Sequence, residues 1–110
     1  MQTNSICTVI AIFTPKPEHR DEIRALLLKV TPGVQSEPGC EFYTVNEAVD
    51  GRFIQIEAWT TRELWKEHDK RETVAEIVAG IEGKLERDVE VIELYNLPTG
   101  TLGKGSLTGK

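Results

Sequence analysis

A hairpin signature at the centre of the chain constrains the fold more than any other feature of this 110-residue sequence. Residues 41–48, EFYTVNEA, and 52–59, RFIQIEAW, are rich in the β-branched and aromatic residues that strands favour. Between them, Asp50-Gly51 is a preferred dipeptide for a two-residue turn with positive φ. The sequence therefore predicts an antiparallel hairpin. If the turn is this tight, the register pairs Phe42 with Trp59, Thr44 with Glu57, and Asn46 with Gln55.

The segments that flank this hairpin change their apolar period. Residues 6–13, ICTVIAIF, predict a first strand, and residues 89–97, VEVIELYNL, alternate as a fourth strand. Apolar residues three and four apart predict a first helix that begins near Glu18. Pro32 is expected to break or kink that helix, because proline has no backbone N–H and its ring clashes with the preceding turn.

The region after the hairpin carries two helix-start signals. Thr60 with Glu63, and Thr73 with Glu76, fit the capping box, in which the Thr side chain caps the helix and the Glu reaches back. Apolar residues at helical spacing follow each signal. The helical segments predicted from them are residues 61–70 and 74–86.

The resulting element order, βαββαβ, is that of the split-βαβ, ferredoxin-like fold. Right-handed crossovers then give an α+β structure whose antiparallel sheet has four strands in the spatial order 4-1-3-2. We assign residues 1–97 to this domain. Residues 98–110, rich in Gly, Thr and Lys, are predicted to form a flexible C-terminal tail.

This strand order also bears on the two cysteines. Cys7 on the first strand and Cys40 at the start of the second are separated by the third strand. Two strand spacings come to about 9.5 Å, beyond the roughly 7 Å that a disulfide spans. Two cysteines also do not supply the four ligands of a structural zinc site. We predict free thiols that pack as small apolar groups, and no metal site.

Composition limits the partners of the chain. With 13 Lys and Arg against 18 Asp and Glu, the net charge is −5, which disfavours nucleic acid and anionic membranes as partners. No apolar run approaches the roughly 20 residues that span a bilayer. The N-terminal segment lacks the basic region of a signal peptide, so the cytoplasm is the expected location.

One face of the predicted sheet is left without a helical layer. Ile54, Ile56 and Ala58 share one face of the third strand, and Gln55 and Trp59 lie on the other, so both faces carry apolar groups. A large exposed apolar face is unusual for a monomer. We expect a second copy of the chain to cover it in a symmetric homodimer.

Two tryptophans and a histidine occur within ten positions, in EAWTTRELWKEHD. Trp65 and His68 are three residues apart and therefore neighbours on one helix face, and Trp59 ends the preceding strand. With Gln55 and Glu57 on the same strand face as Trp59, these residues predict a pocket with an aromatic floor, an amide, a carboxylate and a titratable imidazole. Ordinary packing at a strand-to-helix corner is the alternative interpretation. The other histidine, His19, is expected at the surface.

These residues also carry a resemblance. SEPGCEFYTV at 36–45 and FIQIEAWTTRELWKEHD at 53–69 are similar to the antibiotic biosynthesis monooxygenase (ABM) domain family, including its quinol-monooxygenase-like members. The resemblance extends over roughly residues 6–97. The matching positions are Glu37, Pro38, Gly39, Cys40, Tyr43, Glu57, Trp59 and His68, with His68 nine residues after Trp59. Gln55 stands where some members have an amide, and Trp65 where some have a tyrosine.

The resemblance implies a dimeric α/β barrel with a pocket between sheet and helices. It also implies oxidation of a small aromatic substrate, a phenol or quinol, by O₂ without flavin, metal or other cofactor. In that chemistry Trp59 would pack against the substrate ring, and His68 would be the general base or orienting donor. The candidate catalytic residues are His68 and Trp59, and the candidate substrate-binding residues are Gln55, Glu57, Trp65, Phe42, Tyr43 and Asn46.

Three alternatives stay open at this point. Haem-degrading relatives use an Asn on the first strand, whereas Asn4 precedes that strand here, which disfavours haem. A relative that isomerises a phosphorylated sugar would need cations near the pocket, for which Arg62, Lys66 and Arg71 are candidates. The third alternative is a non-catalytic dimeric binding protein.

Overall fold

The computed structural model describes residues 5–107, so Asn4 lies outside the described residues, as do residues 108–110 of the tail. Its strands are β1 (Cys7–Phe13), β2 (Cys40–Glu47), β3 (Phe53–Trp59) and β4 (Glu90–Leu94). A 3₁₀ turn at Pro17–His19 leads into α1 (Arg20–Gln35), followed by α2 (Arg62–His68), α3 (Glu72–Ile81) and α4 (Leu102–Gly105). The strands form one open antiparallel sheet in the order β2-β3-β1-β4, which confirms the predicted ferredoxin-like order.

The predicted register of the central hairpin is wrong by one residue. Phe42 pairs with Ala58 and Tyr43 with Glu57, because the loop has three residues, 49–51, closed by the Ala48 N–H donating to the Arg52 carbonyl at 2.8 Å. Gly51 takes the positive φ of +95° as the third loop residue. Side chains alternate along a strand, so this shift puts Tyr43 rather than Phe42 on the face of Glu57.

The first helix continues through Pro32 instead of breaking there. Proline removes the N–H that would bond to the Leu28 carbonyl. Leu28 and Pro32 are both exposed, so the proline lies on the solvent-facing side of the helix. The Thr31 hydroxyl donates to the Leu27 carbonyl at 2.7 Å, and α1 ends only at Gln35.

Both predicted capping boxes are also corrected. Thr61, not Thr60, caps α2, because its hydroxyl accepts from the Leu64 N–H at 3.2 Å. Thr73 lies inside α3 and its hydroxyl donates to the Glu37 carboxylate instead. The helix α3 ends at Ile81 and not at the predicted residue 86, since the chain turns at Gly83 with φ of +73°.

The inner face of the sheet packs against the helices and carries the core. Around α1 and α3 the buried residues are Ala11, Phe13, Ile23, Leu27, Val30, Phe53 and Ile77. Towards α2 they are Cys7, Val9, Val34, Tyr43, Trp59 and Trp65. Both cysteines are free, as predicted, and they lie opposite Trp59 on the two sides of β3.

The outer face of the sheet is apolar and more exposed than the inner face. We define it by Ile10, Ile12, Ile54, Ile56 and Ile92. The first four of these isoleucines are only half-buried in the single chain, and Ile92 on the edge strand β4 is 47% exposed. The inner face of β4 is open as well, since Val91 is 56% exposed. The apolar surface of this chain is therefore concentrated on the outer face and along β4.

The C-terminal segment contains α4, a four-residue helix, within the range predicted as a tail. The domain boundary at residue 97 and the flexibility of the tail stay predictions. Within residues 5–107, no helix combines the length and the apolar character that crossing a bilayer requires.

Candidate functional site

A cavity of about 340 Å³ lies between the inner face of the sheet and the helices α2 and α3. Its polar end is formed by Tyr43, Gln55, Glu57 and His68, and the charged residues Lys66 and Asp69 also line it. Its remaining wall is mostly apolar and includes Val9, Ala11, Phe13, Trp65, Val74, Ile77, Val78, Ile81, Val89 and Val91. A small cavity with an apolar wall and a few convergent polar groups is the usual form of a site for a small organic molecule.

His68, at the end of α2, lies between two buried carboxyl groups. Its Nδ1 is 2.7 Å from Oε1 of Glu37, and its Nε2 is 4.0 Å from Oε1 of Glu57. The side chains of all three residues are at most 7% exposed. Only the Glu37 contact has hydrogen-bond length. His68 and Glu57 line the cavity, whereas Glu37 does not.

Glu37 is held by donors from the α2–α3 junction as well. Its Oε2 accepts from the Thr73 hydroxyl at 2.7 Å, and Arg71 Nε lies 3.7 Å from its Oε1. Glu37 itself follows the end of α1, next to the turn at Gly39 with φ of +84°. Three separate segments of the chain therefore meet at this one carboxylate.

Trp59 lies behind His68 rather than on the cavity surface. It is fully buried, its ring stacks on the imidazole at a centroid distance of 4.7 Å, and it is not among the residues that line the cavity. The structure places Trp59 against the histidine, and its contact with a substrate ring stays a prediction.

Glu57 is buried in the cavity wall. The indole N–H of Trp59 donates to its Oε1 at 2.9 Å. Burial raises the pKa of Glu57 above its usual value, and the Trp59 hydrogen bond and the nearby imidazole only partly oppose that rise. Glu57 is thus a carboxyl group whose charged form is destabilised at the cavity.

Tyr43 and Gln55 complete the polar end. They are 2% and 3% exposed, and neither the Tyr43 hydroxyl nor Gln55 Nε2 has a hydrogen-bond partner in the described part of the chain. Burial raises the pKa of Tyr43 well above its usual value, and the Glu57 carboxylate adds to this. At neutral pH the phenol is therefore protonated and available as a donor.

Trp65 forms the aromatic part of the cavity wall, and its ring makes cation–π contacts with two neighbouring side chains. Lys66 Nζ lies 4.3 Å and Arg62 Cζ 5.9 Å from its centroid. Arg62 also binds Glu93 on β4 at 2.9 Å, which connects α2 to the edge of the sheet. Among the three candidate phosphate-binding cations, Lys66 alone lines the cavity.

Three of the predicted site residues do not line this cavity, namely Trp59, Phe42 and Asn46. Phe42 and Asn46 lie on the outer face of the sheet as a result of the register shift, and the Asn46 amide donates to the Ile54 carbonyl at 3.0 Å. Tyr43, Gln55, Glu57, Trp65 and His68 all line the cavity. His19 lies near the surface beside Glu22 and does not line the cavity.

Sequence reasoning did not assign Glu37 or Thr73 to the site. In the sequence, Glu37 is recognisable only as part of the EPGC motif, and Thr73 only as a candidate helix cap. Membership in the EPGC motif is too general a signal to predict a partner 31 residues away. Within residues 5–107, no group of three His, Cys, Asp or Glu side chains is arranged to hold a metal ion.

Comparison with known sequences identifies the family of the chain. The family described as "Antibiotic biosynthesis monooxygenase" (ABM) matches residues 6–80, more than half of the chain. The chain belongs to the ABM family.

Individual relatives give the same picture. A protein of Mycobacterium tuberculosis named "Putative monooxygenase Rv0793" is 36% identical over 61 residues, which cover 54% of this chain and 60% of that protein, so the match spans less than two thirds of its length. The solved structure of Rv0793 superimposes with a TM-score of 0.81 at 31% identity, over 88% of this chain and 100% of that one. PA3566 from Pseudomonas aeruginosa shares the fold, with a TM-score of 0.79 at 24% identity, over 88% of this chain and 99% of its own.

Proposed function

We propose that this chain is a monooxygenase that oxidises a small electron-rich aromatic compound, a phenol or quinol, with O₂ and without a cofactor. The observation that carries the proposal is the imidazole of His68, anchored to Glu37 at Nδ1 and bordering a mostly apolar cavity at its other edge. Membership in the ABM family supports the reaction class. The substrate class rests on the chemistry of the cavity.

The cavity suits an aromatic ring that carries a hydroxyl group. Trp65 and the valines and isoleucines of α3 offer a flat, apolar surface, which favours a ring over a sugar or a charged metabolite. A volume of about 340 Å³ accommodates a compound of one to three fused rings. At the polar end, Tyr43, Gln55 and Glu57 provide hydrogen-bonding groups for ring substituents.

In this reaction His68 acts as general base on the phenol. The phenolate that forms is a far better electron donor than the phenol, and it passes one electron to O₂. The two radicals combine into a carbon-bound peroxide, to which His68 returns the proton. The ring carbon then loses its hydrogen as a proton and the O–O bond breaks with release of hydroxide. One oxygen atom stays in the quinone product, and the other leaves in one molecule of water.

Oxygen uptake with a panel of naphthols and quinols tests this proposal. The chain contains two histidines, which gives a matched pair of variants: His68→Ala in the cavity and His19→Ala at the surface. We expect the first to lose roughly 10²- to 10⁴-fold in kcat/KM, as for a lost general base, and the second to keep wild-type activity. Product labelled from ¹⁸O₂ is expected to carry one labelled oxygen atom.

Two outcomes would overturn the proposal. Ring binding in the cavity without uptake for any substrate would identify a non-catalytic binding protein. Uptake that is unchanged in His68→Ala would move the reaction to another place in the chain. A sugar-phosphate isomerase finds less support, because Arg62 and Arg71 are engaged with Glu93 and Glu37 and do not line the cavity.

We also propose that the active form is a homodimer in which a second copy covers the outer face of the sheet. Exposed apolar surface at Ile92 and at its isoleucine neighbours supports this arrangement. Light scattering after size exclusion is expected to give twice the chain mass of 12.3 kDa. The Ile92→Lys variant should shift that mass towards the monomer, and a wild-type mass of one chain would contradict the dimer.

A further inference from the structure

The imidazole of His68 has one acceptor of hydrogen-bond length in the described part of the chain, and that acceptor does not line the cavity. The Glu37 carboxylate lies 2.7 Å from Nδ1, whereas the Glu57 carboxyl lies 4.0 Å from Nε2. A neutral imidazole carries one proton, and the partner of the other nitrogen decides where that proton resides. This geometry favours the proton on Nδ1.

The two carboxyl groups also differ in their other contacts. Glu37 accepts from the Thr73 hydroxyl at 2.7 Å and has Arg71 Nε at 3.7 Å. Glu57 accepts from the Trp59 indole N–H at 2.9 Å, and burial raises the pKa of Glu57. The acceptor that is within hydrogen-bond distance of the ring, and that other segments hold in place, is therefore on the Nδ1 side.

We propose that Glu37, held by Thr73, is a positioning residue that fixes His68 with its proton on Nδ1 and so leaves Nε2 free as the base at the cavity. This inference deepens the proposed function and rests on it for the catalytic consequence. Glu37 does not line the cavity, so it acts only through the imidazole. When Nε2 takes the proton of a phenol, the Glu37 carboxylate stabilises the imidazolium, as carboxylates do in other histidine dyads.

Nuclear magnetic resonance on protein with ¹⁵N-labelled histidine tests the proposal without any substrate. At pH 8 we expect the wild-type His68 ring to show a protonated Nδ1 and an unprotonated Nε2. His19, the other histidine, serves as the internal reference. In Glu37→Gln, where the amide replaces the charge, we expect most of the population to move to the form with the proton on Nε2. Thr73→Val should shift it partly, and Thr73→Ser, which keeps the hydroxyl, should restore it.

The kinetic counterpart separates positioning from binding. Because Glu37 is outside the cavity wall, Glu37→Gln should lower kcat at least about tenfold and leave KM within about twofold. A wild-type ring with its proton on Nε2, or a tautomer that does not change in Glu37→Gln, would overturn the inference. The spectra decide this even if no substrate is oxidised, so failure of the proposed function and failure of this inference are distinguishable.

Discussion

The imidazole of His68 stacks on the indole of Trp59, with ring centroids 4.7 Å apart and ring planes inclined by 29°. The same indole donates its N–H to Glu57 at 2.9 Å. The buried side chain of Trp59 therefore contacts both the candidate base, His68, and the nearby carboxyl group of Glu57. Trp59 holds these two groups in place without lining the cavity itself.

Replacement of Trp59 by phenylalanine should reveal this double role. Trp59→Phe keeps an aromatic ring against His68 but removes the indole N–H that donates to Glu57, so the pKa of Glu57 should rise further above its wild-type value. Titration of the ¹³C-labelled Glu57 carboxyl group measures this change. Trp65→Phe is the control and should leave the pKa of Glu57 unchanged. An unchanged pKa in Trp59→Phe would show that the indole N–H does not support the carboxylate.

Glu57 should make the stability of the protein depend on pH in a direction opposite to that of a salt-bridged acid. Its pKa is raised in the folded state, mainly by burial, so the unfolded chain releases this proton at lower pH than the folded chain does. The free energy of unfolding therefore falls as pH rises through the interval between the unfolded and folded pKa values, and the loss is complete above the folded value.

The Glu57→Gln variant removes that titration. Relative to the wild type, it should gain stability on going from pH 4 to pH 8, measured by urea denaturation at several pH values. Glu82→Gln, at an exposed position, is the control and should show a constant difference. If the wild type gained stability over Glu57→Gln as pH rises, the direction assigned to Glu57 would be wrong.

Gly39, in the turn that precedes β2, is expected to tolerate substitution less well than Gly83. Its φ is +84°, and an added Cβ would lie 2.5 Å from Leu64 Cδ1 and 2.8 Å from Leu64 Cβ. Gly83 has a similar φ of +73° but nothing within 4 Å of such a Cβ. Gly83→Ala therefore measures the backbone strain alone, about 1–2 kcal/mol, and Gly39→Ala adds the clash.

We expect Gly39→Ala to cost about 1–2 kcal/mol more than Gly83→Ala in urea denaturation. The neighbouring Leu64→Ala change should recover part of this difference in the double variant, because it removes the atoms that the new Cβ would meet. Equal costs for the two single variants would mean that the turn at Gly39 moves freely away from α2.

The Tyr43 hydroxyl should contribute to ligand binding and not to stability. It is buried without a hydrogen-bond partner in the described part of the chain, so Tyr43→Phe should leave the free energy of unfolding unchanged or raise it by up to about 1 kcal/mol. The same change should weaken binding of a hydroxylated naphthalene, followed by quenching of tryptophan fluorescence. A loss of stability with unchanged binding would show that the hydroxyl serves the fold.

The order of strands and helices follows from local patterns and could be predicted. Alternation in β3, helical spacing in α1 and the Asp50-Gly51 turn are each encoded within a few neighbouring residues. The register of the hairpin could not be predicted as reliably, because two- and three-residue loops share the same dipeptide. Because of this shift by one residue, Tyr43 lines the cavity and Phe42 lies on the other face of the sheet.

Local patterns were sufficient to predict the fold class and the free thiols, to place Gln55 and Glu57 on one strand face, and to place Trp65 next to His68 on a helix. Three features depend on tertiary packing: the contact between Glu37 and His68, the stacking of Trp59 on the imidazole, and the cavity between α3 and the sheet. The hydrogen bond between Glu37 and His68 joins segments that are 31 residues apart, so it depends on how the helices pack against the sheet. Periodic patterns in the sequence report only on neighbouring residues and cannot predict such a contact.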